Sequence, residues 1–253
     1  DASRSVWLYR FPSGTNIRQI GYYVAILTTV PATLLLFSRK NTAFYAVSIF
    51  SHILFMSWTG SRGAVAGFFI ALAFTLSISI FYVSKKRILL LFLASFAGLS
   101  LSTFIPNPVP EFGLYRFYND ADKRNFANGR DIVWTDTVNE IKNNLSIGYG
   151  SGTFSSNISK KTEYQFNQPH QIILQYIYDW GMFGGVAGLL LVLSFYFSTI
   201  RRLIQKVHIG RFAAAFAFST IGVVGMIDGP FFYPLSMMMA LAIISLAFVE
   251  HDT

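Results

Sequence analysis

The stretch MFGGVAGLLLVLSFYFSTI, residues 182–200, contains no charged residue and is followed directly by Arg201 and Arg202. A helix of about 20 mostly apolar residues is long enough to cross the hydrocarbon core of a bilayer. Basic residues directly after such a segment are typical of the end of a transmembrane helix. The stretch therefore predicts a membrane span, and the rest of the chain must be read with a bilayer as its solvent.

Six further segments have a similar length and apolar character: residues 20–37, 42–58, 64–83, 88–105, 212–227 and 231–249. The chain of 253 residues is 53% hydrophobic and only 13% charged, and its mean hydropathy is +0.47. This composition is too apolar for one water-soluble core. We expect an all-α, polytopic bundle of about seven transmembrane helices.

The basic residues predict how the bundle is oriented. Three short connections hold nine of them and no acid: Arg39, Lys40, Lys85, Lys86, Arg87, Arg201, Arg202, Lys206 and Arg211. Under the positive-inside rule these connections are cytoplasmic, so the long stretch 106–181 lies outside. The chain begins at Asp1 without a signal-peptide pattern, and we therefore expect it to be an N-terminally truncated part of a longer protein.

The predicted organisation has three parts: an N-terminal arm with four spans in residues 1–105, a large outer loop in residues 106–181, and three spans with a short tail in residues 182–253. The loop is polar and has seven basic and eight acidic residues. Trp134, Val138, Ile141 and Leu145 recur at helical spacing and predict an amphipathic helix. A second helix is predicted from about Pro169 to Gly181.

Composition also excludes or weakens several functions. The chain has no Cys, which excludes thiolate nucleophiles and Cys-ligated zinc. Its net charge of +8 comes from residues at the ends of apolar runs rather than from one solvated face, so nucleic-acid binding is not expected. No acidic pair recurs at ligand spacing in the outer loop, and we predict neither a metal site nor a cofactor.

The glycine-rich run from Gly148 to Phe154 resembles a nucleotide-binding fingerprint only superficially. No strand precedes it and no crossover unit surrounds it, so a Rossmann site is rejected. Glycines at every second position instead predict a bend at which the backbone approaches a ligand or another helix closely.

His170 is the one histidine of the outer loop. With helical spacing from His170 to Ile173 and Ile177, its side chain is expected to point at the bundle rather than into solvent. A packed structural histidine and a general base are about equally consistent with this position, since imidazole changes charge near neutral pH.

Two arginines are candidate anion ligands. Arg62 begins the third span on the outer side, where basic residues are disfavoured, although a snorkelling anchor would also explain it. Arg130 begins the amphipathic helix, where a guanidinium and the positive end of a helix dipole suit a phosphate. A solvated surface arginine is the alternative. Arg116 and Arg124 add charge nearby, but interleaved acids offset much of it.

Three patches together resemble the O-antigen ligase and polymerase family of bacterial membrane glycosyltransferases. They are residues 59–64, which read Thr-Gly-Ser-Arg-Gly-Ala, then Gly129-Arg130 with Trp134 ahead of the glycine run, and Pro169-His170 with Leu174, Asp179, Gly181 and Gly184. The family often has Asn and Glu where this chain has Gln171 and Asp179. These departures bear on substrate detail.

The resemblance implies transfer of a glycan from a polyprenyl (undecaprenyl) diphosphate carrier to an acceptor hydroxyl, on the periplasmic face of the bacterial inner membrane. It implies that Arg62 and Arg130 hold the diphosphate and that His170 activates the hydroxyl, without a metal and with inversion at the anomeric carbon. Arg116, Arg124, Gly150 and Gln171 are further candidate substrate contacts. The expected partners are the lipid-linked donor, a lipid or glycan acceptor, and membrane lipids.

Two other functions remain open at the level of sequence. A transporter or flippase of an amphipathic anionic lipid-linked substrate would use the arginines for docking and would tolerate replacement of His170. A non-catalytic scaffold would bind a partner through the outer loop and would depend on neither Arg62 nor His170. Only the glycosyltransferase hypothesis assigns a joint role to the three patches.

Overall fold

The computed structural model describes residues 17–106, 130–158 and 167–249, and every regular element in these ranges is helical. In chain order the α-helices are α1 Ile17–Phe37, α2 Thr42–Trp58, α3 Arg62–Ser79, α4 Lys85–Ser102, α5 Arg130–Asn143, α6 Phe154–Asn157, α7 Ile172–Gln205, α8 Ile209–Ile227 and α9 Pro234–Ile244. Short 3-10 turns occur at Ile80–Tyr82, Pro230–Phe232 and Ser245–Ala247. The prediction of an all-helical fold is confirmed for these residues.

Four helices among the described residues are long and apolar enough to cross a membrane: Gln19–Phe37, Arg62–Tyr82, Ile172–Gln205 and Ile209–Ile227. The other three predicted spans are also helical, but their helices are not among those that are long and apolar enough to cross a membrane. Thr42–Trp58 and the segment Pro234–Ala247 are shorter apolar helices, and α4 begins with three consecutive basic residues. The membrane character of the chain is therefore clear, while the count of seven spans stays a prediction.

Helix α8 occupies the centre of the bundle. Every residue from Phe212 to Ile221 is buried, and α8 contacts α1, α3, α7 and α9. Small side chains make this central position possible, because alanine and glycine let the backbones of neighbouring helices approach closely. In a membrane, where the hydrophobic effect does not drive helices together, such close packing holds them.

The contact between α3 and α8 shows this close approach. A Cβ placed on Gly67 would lie 2.5 Å from Val224 Cγ2 and 3.3 Å from the Thr220 carbonyl oxygen. One helical turn earlier, a Cβ on Gly63 would lie 3.3 Å from Ile227 Cδ1. The two glycines are four residues apart and share one face of α3, which brings the start of α3 beside the end of α8.

Helix α7 is folded back on itself at Gly181, whose φ of 68° and ψ of −175° interrupt the helix. We call the arm before it α7a (172–180) and the arm after it α7b (182–205). A Cβ on Gly188 would touch the Tyr176 ring at 3.0 Å, although residues this far apart in a straight helix are separated by about 18 Å. The predicted end of a helix at Gly181 is confirmed.

The glycine-rich run closes the helix hairpin. Tyr149 N and Gly150 N donate to the carbonyls of Tyr178 and Asp179 at 2.8 and 2.9 Å, and Met182 N donates to Leu145 O at 2.7 Å. These bonds satisfy backbone groups that the break in α7 leaves without helical partners. The predicted close backbone approach is confirmed, and the neighbour is another helix.

The predicted amphipathic helix exists as α5, but the predicted apolar face is only partly right. Its buried residues are Val133, Thr137 and Ile141. Val138 and Leu145 are exposed. The face of α5 that packs on Tyr178 and Phe154 is rotated away from the predicted apolar face.

Candidate active site

The Asp228 carboxylate is the centre of a polar cluster at the end of α8. Its Oδ1 lies 2.8 Å from His170 Nδ1, and its Oδ2 accepts a hydrogen bond from Arg130 Nη2 at 3.0 Å. The Tyr22 hydroxyl of α1 also donates to this carboxylate. Three separate elements of the fold thus converge on one acid, whose side chain is only 13% exposed.

Electrostatics keep this acid ionised. Burial alone would raise the pKa of Asp228, but the hydrogen bond and charge of His170, the charge of Arg130 and the Tyr22 hydrogen bond together hold that pKa well below its ordinary value. A buried carboxylate with several donors is stable as an anion, and it can stabilise positive charge on the imidazole beside it.

His170 lies just before α7a, and its predicted place on a helical face is wrong. Helix α7 begins at Ile172, and Gln171 is its N-cap, whose side chain accepts from Leu174 N. His170 itself has a φ of 56°, in the left-handed region that residues other than glycine rarely adopt. This backbone turn aims the imidazole at Asp228 rather than along the helix.

Neighbouring contacts fix the segment that carries His170. Trp134 Nε1 donates to the Pro169 carbonyl at 2.8 Å and so joins α5 to this segment. The folding back of α7 brings its first turn against α8, since a Cβ on Gly225 would lie 3.8 Å from the Ile172 Cβ. The hairpin at Gly181 therefore determines that His170 meets Asp228.

Arg130 and Arg62 each begin a helix at this cluster. Arg130 is the first residue of α5, so its guanidinium and the positive end of the helix dipole act together. Arg62 is the first residue of α3, and a Cβ on the adjacent Gly63 would lie 3.9 Å from Asp228 Oδ2. The start of α3 is thus next to the acid that holds Arg130.

The turn ahead of Arg62 packs tightly on α1. Thr59 Oγ1 and Ser61 Oγ are hydrogen-bonded at 2.9 Å, and both are buried. A Cβ on Gly21 would collide with the Ser61 side chain at 2.1 Å. This contact packs the first patch of the sequence against the turn of α1 that carries Tyr22.

A second polar group borders the cluster. The Tyr233 hydroxyl accepts from the side-chain amides of Gln19 and Gln168. The amide of Gln168 lies so close to Gly229 that a Cβ there would overlap it. Gln168 is buried, and its Oε1 has no hydrogen-bond partner among the residues that the structure describes.

Of the remaining candidates, the two that the structure describes, Gly150 and Gln171, lie outside the cluster. Gly150 bonds to the Asp179 carbonyl, about 10 Å along α7a from Ile172, and Gln171 caps that helix. Arg116 and Arg124 lie outside the described residues. Among the described residues no three His, Asp or Glu side chains form a group that could hold a metal ion.

Comparison with known families decides the class of protein. The model of the family described as O-antigen ligase matches residues 26–189, more than half of the chain. The chain belongs to the O-antigen ligase family. Neither the curated proteins nor the solved structures gave a match to it.

The chain is therefore of the ligase or polymerase type of membrane glycosyltransferase, a class that acts on lipid-linked glycans and acceptors in the membrane. Arg62, Arg130 and His170 all lie within the matched residues. Of these three, the fold joins His170 and Arg130 through Asp228 and brings the start of α3, where Arg62 lies, next to them.

Sequence reasoning missed the acid at the centre of this cluster. In the sequence, Asp228 lies in the short connection between the predicted spans 212–227 and 231–249 and is not among the site candidates. One signal was available: it is the only acidic residue between Asp179 and Glu250, and it lies on the same predicted outer side as Arg62. An isolated acid at the end of an apolar helix is expensive to keep unless it has a partner.

Proposed function

We propose that the protein transfers a glycan from a polyprenyl diphosphate carrier to an acceptor hydroxyl, with His170 as general base and Arg62 and Arg130 as ligands of the diphosphate. The observation that carries this proposal is the double contact of Asp228 with His170 and Arg130. One carboxylate therefore fixes the positions of a base and a cation relative to each other. The transfer of a sugar from a phosphate to a hydroxyl needs both groups in defined positions.

In the proposed reaction, His170 Nδ1–H donates to Asp228, and the lone pair on Nε2 removes the proton of the acceptor hydroxyl. The acceptor oxygen attacks the anomeric carbon as the bond from that carbon to the phosphate oxygen breaks. The electron pair of this bond leaves with the diphosphate. Attack from the opposite side inverts the anomeric centre.

Arginine suits the leaving group. A diphosphate gains negative charge as the glycosidic bond breaks, and cations positioned at that charge lower the barrier. The guanidinium of Arg130 has five N–H donors, so it can hold Asp228 through Nη2 and present another edge to a phosphate oxygen. Arg62 lies at the start of α3, next to Asp228, and the positive charge of the two arginines exceeds the single negative charge of this acid.

The proposed setting is the periplasmic side of the bacterial inner membrane, with seven spans and the three-part division 1–105, 106–181 and 182–253. The distribution of basic residues supports this. Arg87 donates to the Leu36 carbonyl at 3.0 Å and Arg211 donates to the Arg202 carbonyl at 3.1 Å, so basic side chains close the helix ends on the side opposite to Asp228.

The test is a transfer assay in nanodiscs with a polyprenyl diphosphate glycan and a panel of acceptors, comparing wild type with His170→Ala. His208→Ala is the matched control, because His208 caps α8 at the opposite end of the bundle. We expect the His170 variant to bind the donor and to lose transfer by about 100-fold or more, while the control stays active.

Two results would reject the proposal. An active His170→Ala protein would remove the general base from the mechanism. Movement of the lipid-linked glycan across the membrane without any cleavage of its bond would favour a flippase. The acceptor that reacts separates ligation to a lipid core from joining of repeat units and from protein glycosylation.

A further inference from the structure

The outer end of α7b carries an exposed apolar surface that the proposed reaction does not use. It consists of Leu145, Ile147, Met182 and Phe183, whose exposed fractions are 43, 79, 40 and 78%. We call it the outer apolar surface. Side chains of this size are rarely left in water as a contiguous group without a binding role.

Backbone contacts make these four residues one rigid surface. Met182 N donates to Leu145 O at 2.7 Å. A Cβ on Gly181 would lie 2.3 Å from Ser146 O and 2.6 Å from the Ile147 carbonyl carbon. The turn after α5 thus packs directly on the first residues of α7b, so the two pairs of apolar residues are held next to each other.

The position of this surface along the membrane normal follows from α7b. Its uncharged residues 182–200 end at Arg201 and Arg202, and as a helix they are about 28 Å long. The hydrocarbon core of a bilayer is about 30 Å thick. With Arg201 at one boundary, Met182 and Phe183 lie at the other, and so do the Leu145 and Ile147 side chains next to them.

Lipid is favoured as the occupant because the surface is continuous with a face that already requires it. Leu190, Leu191 and Phe197 are exposed further along α7b, within the helix that crosses the membrane. Exposed Trp180 lies at the top of the same hairpin, with its ring against Tyr176. Tryptophan at this level is typical of the boundary between headgroups and acyl chains.

We infer that the outer apolar surface is inserted in the headgroup–acyl boundary of the membrane leaflet nearest to α5. Helix α5 is then a membrane-anchored element. Its first residue is Arg130, so the anchor fixes the depth of this arginine relative to the membrane. The inference depends on the membrane span alone and not on the proposed reaction.

The absence of cysteine from the chain makes a direct test simple, because single cysteines can be labelled without background. An environment-sensitive fluorophore is attached at Ile147→Cys and, as a matched control, at Asn139→Cys, an exposed position on α5. The proteins are placed in nanodiscs that contain lipids with a doxyl quencher near the headgroup, or a water-soluble quencher is added instead.

We expect the doxyl lipid to quench the label at position 147 at least about threefold more than the label at 139, because insertion brings it about 5–10 Å into the boundary. The water-soluble quencher should show the reverse order. Leu145→Cys is the second variant and should follow position 147. Elution of each labelled protein as wild type in size-exclusion chromatography verifies its fold.

Two results would overturn the inference. Equal access of the water-soluble quencher to positions 147 and 139 would mean that the surface is in water. Shielding of positions 145 and 147 from both quenchers would mean that protein, either another segment or a second copy, covers the surface.

Discussion

Helices α7b and α8 are both apolar, yet they have opposite surroundings. Residues 212–221 of α8 are all buried, whereas most side chains of α7b are exposed. The outer end of α8 carries Asp228, with three elements gathered around it, while the outer end of α7b carries the outer apolar surface. Hydropathy detects both helices equally, but the small residues of α8 make it the helix on which others pack.

The two helices have different parts in the candidate function. The central helix holds the acid that organises the candidate site, and the peripheral helix has an exposed apolar surface and is joined to the site through its hairpin. Substitutions that treat the two helices alike should therefore have unequal consequences.

Replacing Asp228 by Asn should lower glycan transfer roughly 1,000-fold, about 4 kcal/mol in barrier. The amide keeps the size of the side chain but removes the charge that orients and stabilises His170. Asp136→Asn on α5 removes one acid outside the cluster and should change the rate by less than about twofold. Transfer rates of the two variants in nanodiscs check this, and equal rates would contradict the importance of the α8 terminus.

Removing a phenyl ring should cost far more on α8 than on α7b. Phe216 is fully buried and packs on Phe68 at a centroid distance of 5.1 Å, whereas Phe197 is largely exposed. We expect Phe216→Ala to lower the free energy of unfolding by about 3 kcal/mol and Phe197→Ala by less than about 0.5 kcal/mol. Unfolding in mixed micelles measures both, and similar losses would mean that protein also covers α7b.

Replacing a glycine by alanine should lower the free energy of unfolding only where two helices are in close contact. Gly67→Ala adds a Cβ that meets Val224 and the Thr220 carbonyl, while a Cβ on Gly222 of α8 meets nothing within 4 Å. The first change should destabilise the protein by about 2 kcal/mol, and the second should be neutral or stabilising by up to about 1 kcal/mol. The same unfolding measurement applies, and a harmless Gly67→Ala would contradict the close packing of α3 on α8.

The smallest effect concerns one hydroxyl group. Tyr22→Phe removes a donor to Asp228 and should lower transfer about fivefold to tenfold, near 1 kcal/mol. Tyr196→Phe is the matched change on α7b, where the hydroxyl contacts only Ser219 among the described residues at 3.1 Å. It should leave the transfer rate unchanged. If both variants transfer equally well, Tyr22 has no part in positioning the acid.

Much of the fold followed from local pattern, and so did part of the candidate site. Apolar length located the helices, and Gly181 marked the break in α7 because a left-handed backbone there excludes other residues. Arg130 was recognisable as the start of a helix. The sequence indicates His170 as a candidate residue. It does not indicate the left-handed backbone conformation at His170, because no glycine marks that position.

That the chain is helical and belongs in a membrane follows from local sequence, because the length of each apolar segment and the positions of its charged residues are properties of that segment alone. Local sequence did not disclose that Asp228 joins His170 and Arg130, which are 58 and 98 residues away. Only tertiary structure decided that contact. The pairing needs α7 to fold back at Gly181 and α8 to lie at the centre, and both depend on which surfaces pack together rather than on the character of any one segment.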